Sequence, residues 1–374
     1  MHVPDGFINA PVSLAAGATA AAALAISLRG ARRESAAGPA TALGPHPEST
    51  APLAGLLAAF VFATQMLNFP VAAGTSGHLL GGALAAILVG PFTGVLCVSV
   101  VLLTQSLLFA DGGLTALGVN IVLMGVVTVA VAYGVFRALL AVLPRARRSV
   151  TAASFAAALI SVPASAAAFT LLHAVGGTTD VPTGTVLAAM TGVHTLIGVG
   201  EAVITALTVG AVLAVRPDLV HGARGLAPAL KLRVGGRLVD ATTVTAPGPA
   251  ASASSSASSS AVSSRRVRLA GLAAALVLAG GVSFYASASP DGLEKVAADH
   301  GIDAKVRDHP AAGSPLADYG VADLTDPRLS VGLAGVIGVG ATAALGIGLF
   351  HLTTRNRRRR RHRRRRPARA PETP

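Results

Sequence analysis

The run LLGGALAAILVGPFTGVLCVSVVLLTQSLLF, residues 79–109, contains no charged side chain. One membrane crossing takes about 20 apolar residues, so the run is too long to be a single helix in a bilayer. Gly90-Pro91 breaks it near the middle, because proline lacks an amide hydrogen and clashes with the preceding turn. Two short helices are therefore expected. The whole chain has the same character: of 374 residues, 52% are hydrophobic and 13% charged, and the mean hydropathy is +0.64. These values exclude an ordinary soluble domain. Trp is absent and aromatic residues make up 4%, so Ala, Val, Leu and Gly supply the apolar surface, as where membrane helices pack through small residues. The expected class is an all-α polytopic membrane protein, not a barrel.

Outward from that run, further apolar stretches cover Pro11 to Leu28, Leu53 to Phe69, Leu114 to Leu143, Val150 to Val175 and Val186 to Val215. The first is followed, not preceded, by Arg29, Arg32 and Arg33, which reverses the charge order of a signal peptide. It reads as a retained helix whose basic end is cytoplasmic. Arg137, Arg145, Arg147 and Arg148 close one inward run, and Arg216, Arg224, Lys231 and Arg233 close another. Seven crossings with the amino terminus outside result, spanning residues 1–233. The formal charge of +13 is thus read as orientation and not as a nucleic-acid surface.

Residues 234–264 read as a linker ending in a Ser/Ala tract, with no means of forming a core. A second module follows at 265–354. It has an eighth helix from Leu269, an extracytoplasmic segment opening at Pro290-Asp291-Gly292-Leu293-Glu294, and a ninth helix from Leu329 to Leu352. The Arg-rich tail, 355–374, is expected to be disordered and to meet anionic lipid.

The candidate chemistry lies at the amino terminus, Met1-His2-Val3-Pro4-Asp5-Gly6-Phe7. The Met1 amine, the His2 amide and the His2 imidazole can close adjacent chelate rings around one ion. A fourth nitrogen completes a square-planar set suited to Ni(II) or Cu(II) and able to hold Co(II). His78, in the loop Gly74-Thr75-Ser76-Gly77-His78-Leu79-Leu80-Gly81-Gly82, is the natural fourth donor. Non-helical backbone at membrane depth is tolerated only where protein buries it or it lines a cavity. His2 is bulky, so Met1 is expected to escape removal. His194 and Glu201 stand seven apart, two turns along one helix face, as a supporting pair, a relay or a structural clamp. Gln105 and Asn120 flank the turn at Asp111, while Asn68 and Ser76 flank the loop; all five could support the site or simply knit helix ends together. No His-Glu-x-x-His motif, phosphate-binding Gly-Lys loop or Gly-x-Ser-x-Gly elbow occurs in the polar segments, which argues against a membrane enzyme. Cys97, the single cysteine, lies in an apolar run and offers neither a disulfide framework nor a thiolate site.

The terminal heptapeptide, the loop at 74–82, the segment from Gln105 to Asn120 and the stretch from His194 to Thr205 together resemble the CbiM/NikM family. The second module is similar to the PDGLE domain, related to the small CbiN/NikN subunits. The resemblance implies a seven-helix substrate-binding subunit of an energy-coupling-factor transporter for cobalt or nickel, fused to a two-helix module. It implies Met1, His2 and His78 as metal ligands and Co(II) or Ni(II) as transported substrate, with no permanently bound cofactor. It further implies a plasma-membrane location, a transmembrane coupling subunit and paired cytoplasmic ATPases on other chains. A stand-alone metal channel or secondary permease is the competing reading.

Overall fold

Before the Gly90-Pro91 break, the chain forms α1 (Ala10–Ala36), α2 (Thr50–Gln65) and a two-stranded antiparallel hairpin, β1 (Phe69–Ala72) and β2 (Thr75–Gly77). The break separates α3 (Gly82–Val89) from α4 (Pro91–Leu108). There follow α5 (Leu117–Val142), α6 (Arg147–Gly176) and α7 (Thr183–Val215). After a short hairpin, β3 (Lys231–Val234) and β4 (Arg237–Asp240), come α8 (Ser264–Gly280), α9 (Gly292–His300) and α10 (Pro327–Arg365). This computed structural model describes residues 1–36, 50–72, 74–224, 231–234, 237–240 and 264–365.

The two helices at the break are unequal. At 1.5 Å per residue, the 8-residue α3 rises only about 12 Å, whereas the 18-residue α4 rises about 27 Å. The chain therefore enters the bundle as hairpin and loop before α3 begins. Leu79, Leu80 and residues 82–87 are buried, and Gly81 makes the turn into the helix at φ +83°, where any side chain would meet Val61. Among the described residues the first module thus has seven α-helices, but five of them are long and apolar enough to span a membrane: α1, α4, α5, α6 and α7. The expected crossing from Leu53 to Phe69 stops at Gln65, because the chain there turns into β1. With α8 and α10, the described residues hold seven candidate spans.

Two expectations need amendment in the second half. The hairpin at β3 and β4 occupies the start of the expected linker, and residues 241–263, with the Ser/Ala tract, lie outside the described residues. The Arg run expected to be disordered continues α10 as helix through Arg365, which leaves 366–374 outside the described residues. Arginine has good helix propensity, and extending a helix already nucleated costs little.

The two ends of the bundle are chemically distinct. At one end the amino-terminal loop, the β1–β2 hairpin, the turn before α5, the loop after α6 and the segment between α8 and α10 converge. Ile8 bridges Gly177, Gly113 N donates to Val3 O at 3.0 Å, and Ser287 N donates to Asn68 O at 2.7 Å. At the other end Glu34 caps α4 by accepting from Phe92 N and Thr93 N at 3.0 and 2.9 Å. Arg224 donates there to Glu34 O at 3.3 Å. Burial of the small residues of α2, α3 and α4 continues the core between these ends.

Candidate metal centre

The amino-terminal loop is packed as tightly as a core strand: Met1, Val3 and Phe7 are all buried. Asn120 does most of the fixing. Its Oδ1 accepts from Val3 N at 2.8 Å and its Nδ2 donates to Val3 O at 3.1 Å, so one side chain pairs both backbone groups of Val3. Asn120 immediately precedes a π-helical stretch of α5, Ile121–Val127, a distortion often found at functional sites. Asp5, also buried, accepts from Leu114 N at 3.1 Å and Thr115 N at 2.8 Å, and from the Thr115 hydroxyl. Thr178 Oγ1 donates to Gly6 O at 2.7 Å. The loop is thereby sewn to α5 on one side and to the loop after α6 on the other.

His78 is carried into the bundle by β2. Its Nδ1 donates to Leu79 O at 3.1 Å, which leaves Nε2 with a lone pair, and the Met1 amine donates to that nitrogen at 2.8 Å. Behind it, Glu201 accepts from Leu80 N and Gly81 N at 2.7 and 3.1 Å, while Gln65 Nε2 donates to Leu80 O at 2.9 Å. These bonds satisfy the non-helical backbone that leads into α3. The His2 ring stacks on His78 with centroids 5.0 Å apart and planes 19° from parallel. Its Nδ1 lies 3.1 Å from Asp111 Oδ1 and its Nε2 3.2 Å from Gln105 Oε1. Burial pushes the His2 pKa down to about 4 despite the neighbouring Asp111. Tyr319, from the segment before α10, donates its hydroxyl to Asp111 Oδ2 at 2.6 Å. Its own ring stacks on Phe109 at 4.9 Å, and burial followed by the Asp111 charge raises its pKa well above the ordinary value.

The second module reaches the same spot. Ser76 N donates to Pro290 O at 2.8 Å and Ser76 Oγ to Ser289 O at 2.7 Å. Asp291 is the N-cap of α9 in a capping box: Oδ1 accepts from Leu293 N and Glu294 N, and Glu294 Oε2 accepts from Asp291 N at 2.8 Å. The second carboxylate oxygen, Oδ2, sits 2.7 Å from the Met1 amine and 3.6 Å from His78 Nε2. Burial alone would raise the Asp291 pKa, but the charge of the amine and the contacts with His78 hold it well below the usual carboxylate range. Glu294 is raised, by burial and then by the Asp291 charge. Leu293 is buried, and Gly292 lies where a Cβ would meet Ile197 Cδ1 at 2.7 Å and His194 Cε1 at 3.2 Å.

The structure therefore brings Met1, His2, His78, Gln105, Asp111, Asn120 and Ser76 together with Pro290 to Glu294. It does not pair His194 with Glu201. His194 Nδ1 donates to Met190 O at 2.8 Å and its buried Nε2 has no hydrogen-bond partner among the described residues, while Glu201 serves the backbone before α3. Asn68 meets the second module through its carbonyl. The chelate expectation gave the His2 imidazole to the same ion as the amine; here its Nδ1 lies against the Asp111 carboxylate instead. Sequence reasoning named Asp291 within the Pro290 to Glu294 motif but gave it no place beside the amino terminus, and it missed two residues. Asp5 carried a signal, a turn-forming Pro-Asp-Gly; Tyr319 had none.

Comparison with known proteins follows the same division. Residues 2–219 match the model of the family described as the cobalt uptake substrate-specific transmembrane region, and residues 265–355 match the PDGLE domain. A Haloquadratum walsbyi protein named for metal transport is 38% identical over 220 residues, covering 59% of this chain and 93% of its own. An Archaeoglobus fulgidus protein named for fused nickel transport is 39% identical over 226 residues, covering 59% of this chain and 68% of its own. A solved truncated transition metal transporter, 26% identical, covers 57% of this chain and 99% of its own, with a TM-score of 0.48.

Proposed function

The chain belongs to the cobalt-uptake transmembrane family, with a PDGLE domain fused behind it, and from that premise we propose that it captures Co(II) or Ni(II) for an energy-coupling-factor transporter. It is a multi-pass membrane component of cobalt or nickel transport by family. The finer reading gives the metal four nitrogens: the Met1 amine, the His2 amide, His2 Nδ1 and His78 Nε2. The observation that carries it is the 2.8 Å approach of the Met1 amine to the lone pair of His78 Nε2, inside a loop held at Val3 by Asn120. Two donors about 2.0–2.1 Å from a first-row ion and at right angles to each other stand about 2.9 Å apart. To complete the set, His2 Nδ1 exchanges Asp111 for the ion. A planar nitrogen set suits Ni(II) and accommodates Co(II).

The neutral imidazoles are the metal-binding form, so the low pKa of His2 keeps that donor available in mild acid. The ion enters at the end where the loops converge, taken as the outer face of the plasma membrane. Inward release is driven by partners on other chains, a transmembrane coupling subunit and cytoplasmic ATPases, and the Arg-rich tail contacts anionic lipid. The test is nickel and cobalt binding to purified protein whose amino terminus has been verified by intact mass. His78→Ala, or one residue added before Met1, is expected to abolish high-affinity binding. Unchanged affinity in both would overturn the nitrogen site. Metal uptake by the chain in cells lacking any coupling subunit would overturn the transporter assignment in favour of a stand-alone permease.

A further inference from the structure

We propose that Asp291 of the second module supplies an oxygen ligand to the transported ion, so that the metal centre is built jointly by both modules. This rests on the nitrogen site proposed above and adds to it a donor from residue 291, at the start of α9.

The first argument is spacing. Asp291 Oδ2, the Met1 amine and His78 Nε2 form a triangle with sides of 2.7, 2.8 and 3.6 Å. Neighbouring donors on one first-row ion are about 2.9 Å apart, from bond lengths of about 2.0–2.1 Å. Two sides already lie close to that value, and the third closes with a small movement. His2, His78 and Asp291 also each present a donor atom within 4.8 Å of the others, and all three are buried.

The second argument is orientation. Asp291 cannot turn its carboxylate elsewhere, because Oδ1 is occupied by Leu293 N at 2.7 Å and Glu294 N at 2.9 Å, and its own amide is taken by Glu294. What remains is Oδ2, aimed at the amine and the imidazole. The backbone is equally fixed: Ser76 holds Ser289 O and Pro290 O, while Gly292 fits against Val193, His194 and Ile197. A side chain at 292 would push the motif away from the nitrogens. The motif thus places the second carboxylate oxygen, paired among the described residues only with the Met1 amine, against the nitrogens and anchors it from both sides.

The third argument is chemical. A carboxylate above a nitrogen plane gives a tetragonal N,O set, a geometry Ni(II) accepts. A buried carboxylate also offsets the charge of a divalent ion entering a low-dielectric site. The rival role, a simple ion partner of the Met1 amine, has the opposite consequence. In that case Asp291 competes with the metal, and removing its charge would leave affinity unchanged or raise it.

Asp291→Asn separates the two, since asparagine also caps helices and preserves the shape of α9. Purified full-length protein with a verified terminus is titrated with Ni(II) against a chelating dye, and the ligand-field spectrum and magnetic state of the bound ion are recorded. Asp291→Asn is expected to weaken Ni(II) binding by roughly 10- to 100-fold or more. The ion remaining should shift toward the diamagnetic spectrum of a planar four-nitrogen site. Equal or tighter binding with an unchanged spectrum would overturn the proposal. His78→Ala in the same assay tests the nitrogen reading separately: loss of binding there with an unaffected Asp291→Asn defeats only the oxygen ligand. A circular dichroism melt that matches wild type establishes that Asp291→Asn has folded.

Discussion

At the scale of single residues, the site depends on a few polar side chains that hold backbone in place. Asn120 pairs both the N–H and the C=O of Val3, which is fully buried. Asn120→Ala would leave the buried Val3 N–H unpaired, at a cost of about 1–3 kcal/mol, and Val3 O, among the described residues, with only its bond from Gly113 N, so the loop carrying Met1 and His2 would open to recover a partner. The expected result is nickel affinity lowered by roughly 10- to 100-fold with helical circular dichroism unchanged. Asp5 holds Leu114, Thr115 and, through its backbone carbonyl, Arg307 N at 2.9 Å. Its replacement by alanine should therefore lower the melting temperature as well as the affinity. At the opposite end, burial, then Arg224 and Arg137, push the His221 pKa from 6.5 down to about 4. The folded protein thus disfavours the protonated ring, and more protons bind to the unfolded chain between these two values. Stability from this group is complete above pH 6.5 and is lost as pH falls toward 4. Thermal melts between pH 7.5 and 4.5 should fall less steeply for His221→Phe than for wild type; parallel slopes would remove His221 from that role.

Elements differ in how far the sequence announces them. The charge pattern and apolar lengths suffice for α1 and α4 to α7, and the Asp291-x-x-Glu294 spacing is a readable start for α9. Glu294→Ala should remove half of that capping box, at a cost of about 0.5–2 kcal/mol to the helix, seen as faster amide exchange across 292–300 with α4 to α7 unaffected. The Gly90-Pro91 break announces α3 and α4 as separate short helices, but their inequality was not legible, since residues 79–109 carry no charge and nothing in periodicity delays the start of α3 to Gly82 or makes α4 long enough to span. The π-helical stretch in α5 is equally silent, being an ordinary apolar sequence. Of the site, the meeting of Met1, His2 and His78 could be anticipated, because a histidine directly after a terminal amine has a local signature as a candidate chelator. The contact between Met1 and Asp291 could not, because 290 positions separate them and only the folded arrangement of the two modules joins them.

At the scale of the whole molecule, that junction is a backbone-close helix crossing beneath a shared polar site. A Cβ on Gly55 of α2 would meet Ile347 N of α10 at 2.7 Å, and one on Gly346 would meet Gly55 Cα at 2.9 Å, so the two helices touch through glycine on both sides. Such approach is the membrane solution to association, because lipid removes the hydrophobic drive and leaves van der Waals packing between small residues. Above it, Ser76, Asn68 and Met1 bond to Pro290, Ser287 and Asp291. If these contacts, and not the covalent connection through 241–263, hold the modules together, the chain can be cut there without separating them. A protease site inserted between residues 250 and 264 should yield two fragments that still co-purify in mild detergent and still bind nickel. Gly346→Leu would force the helices apart by the width of a side chain. In the cut protein it should release the second module, and metal affinity should fall with it, because the amine would lose Asp291. Fragments of the Gly346→Leu protein that stayed together would show that the glycine crossing is not what joins them. Fragments that separated without any loss of affinity would leave the metal centre wholly within the first module.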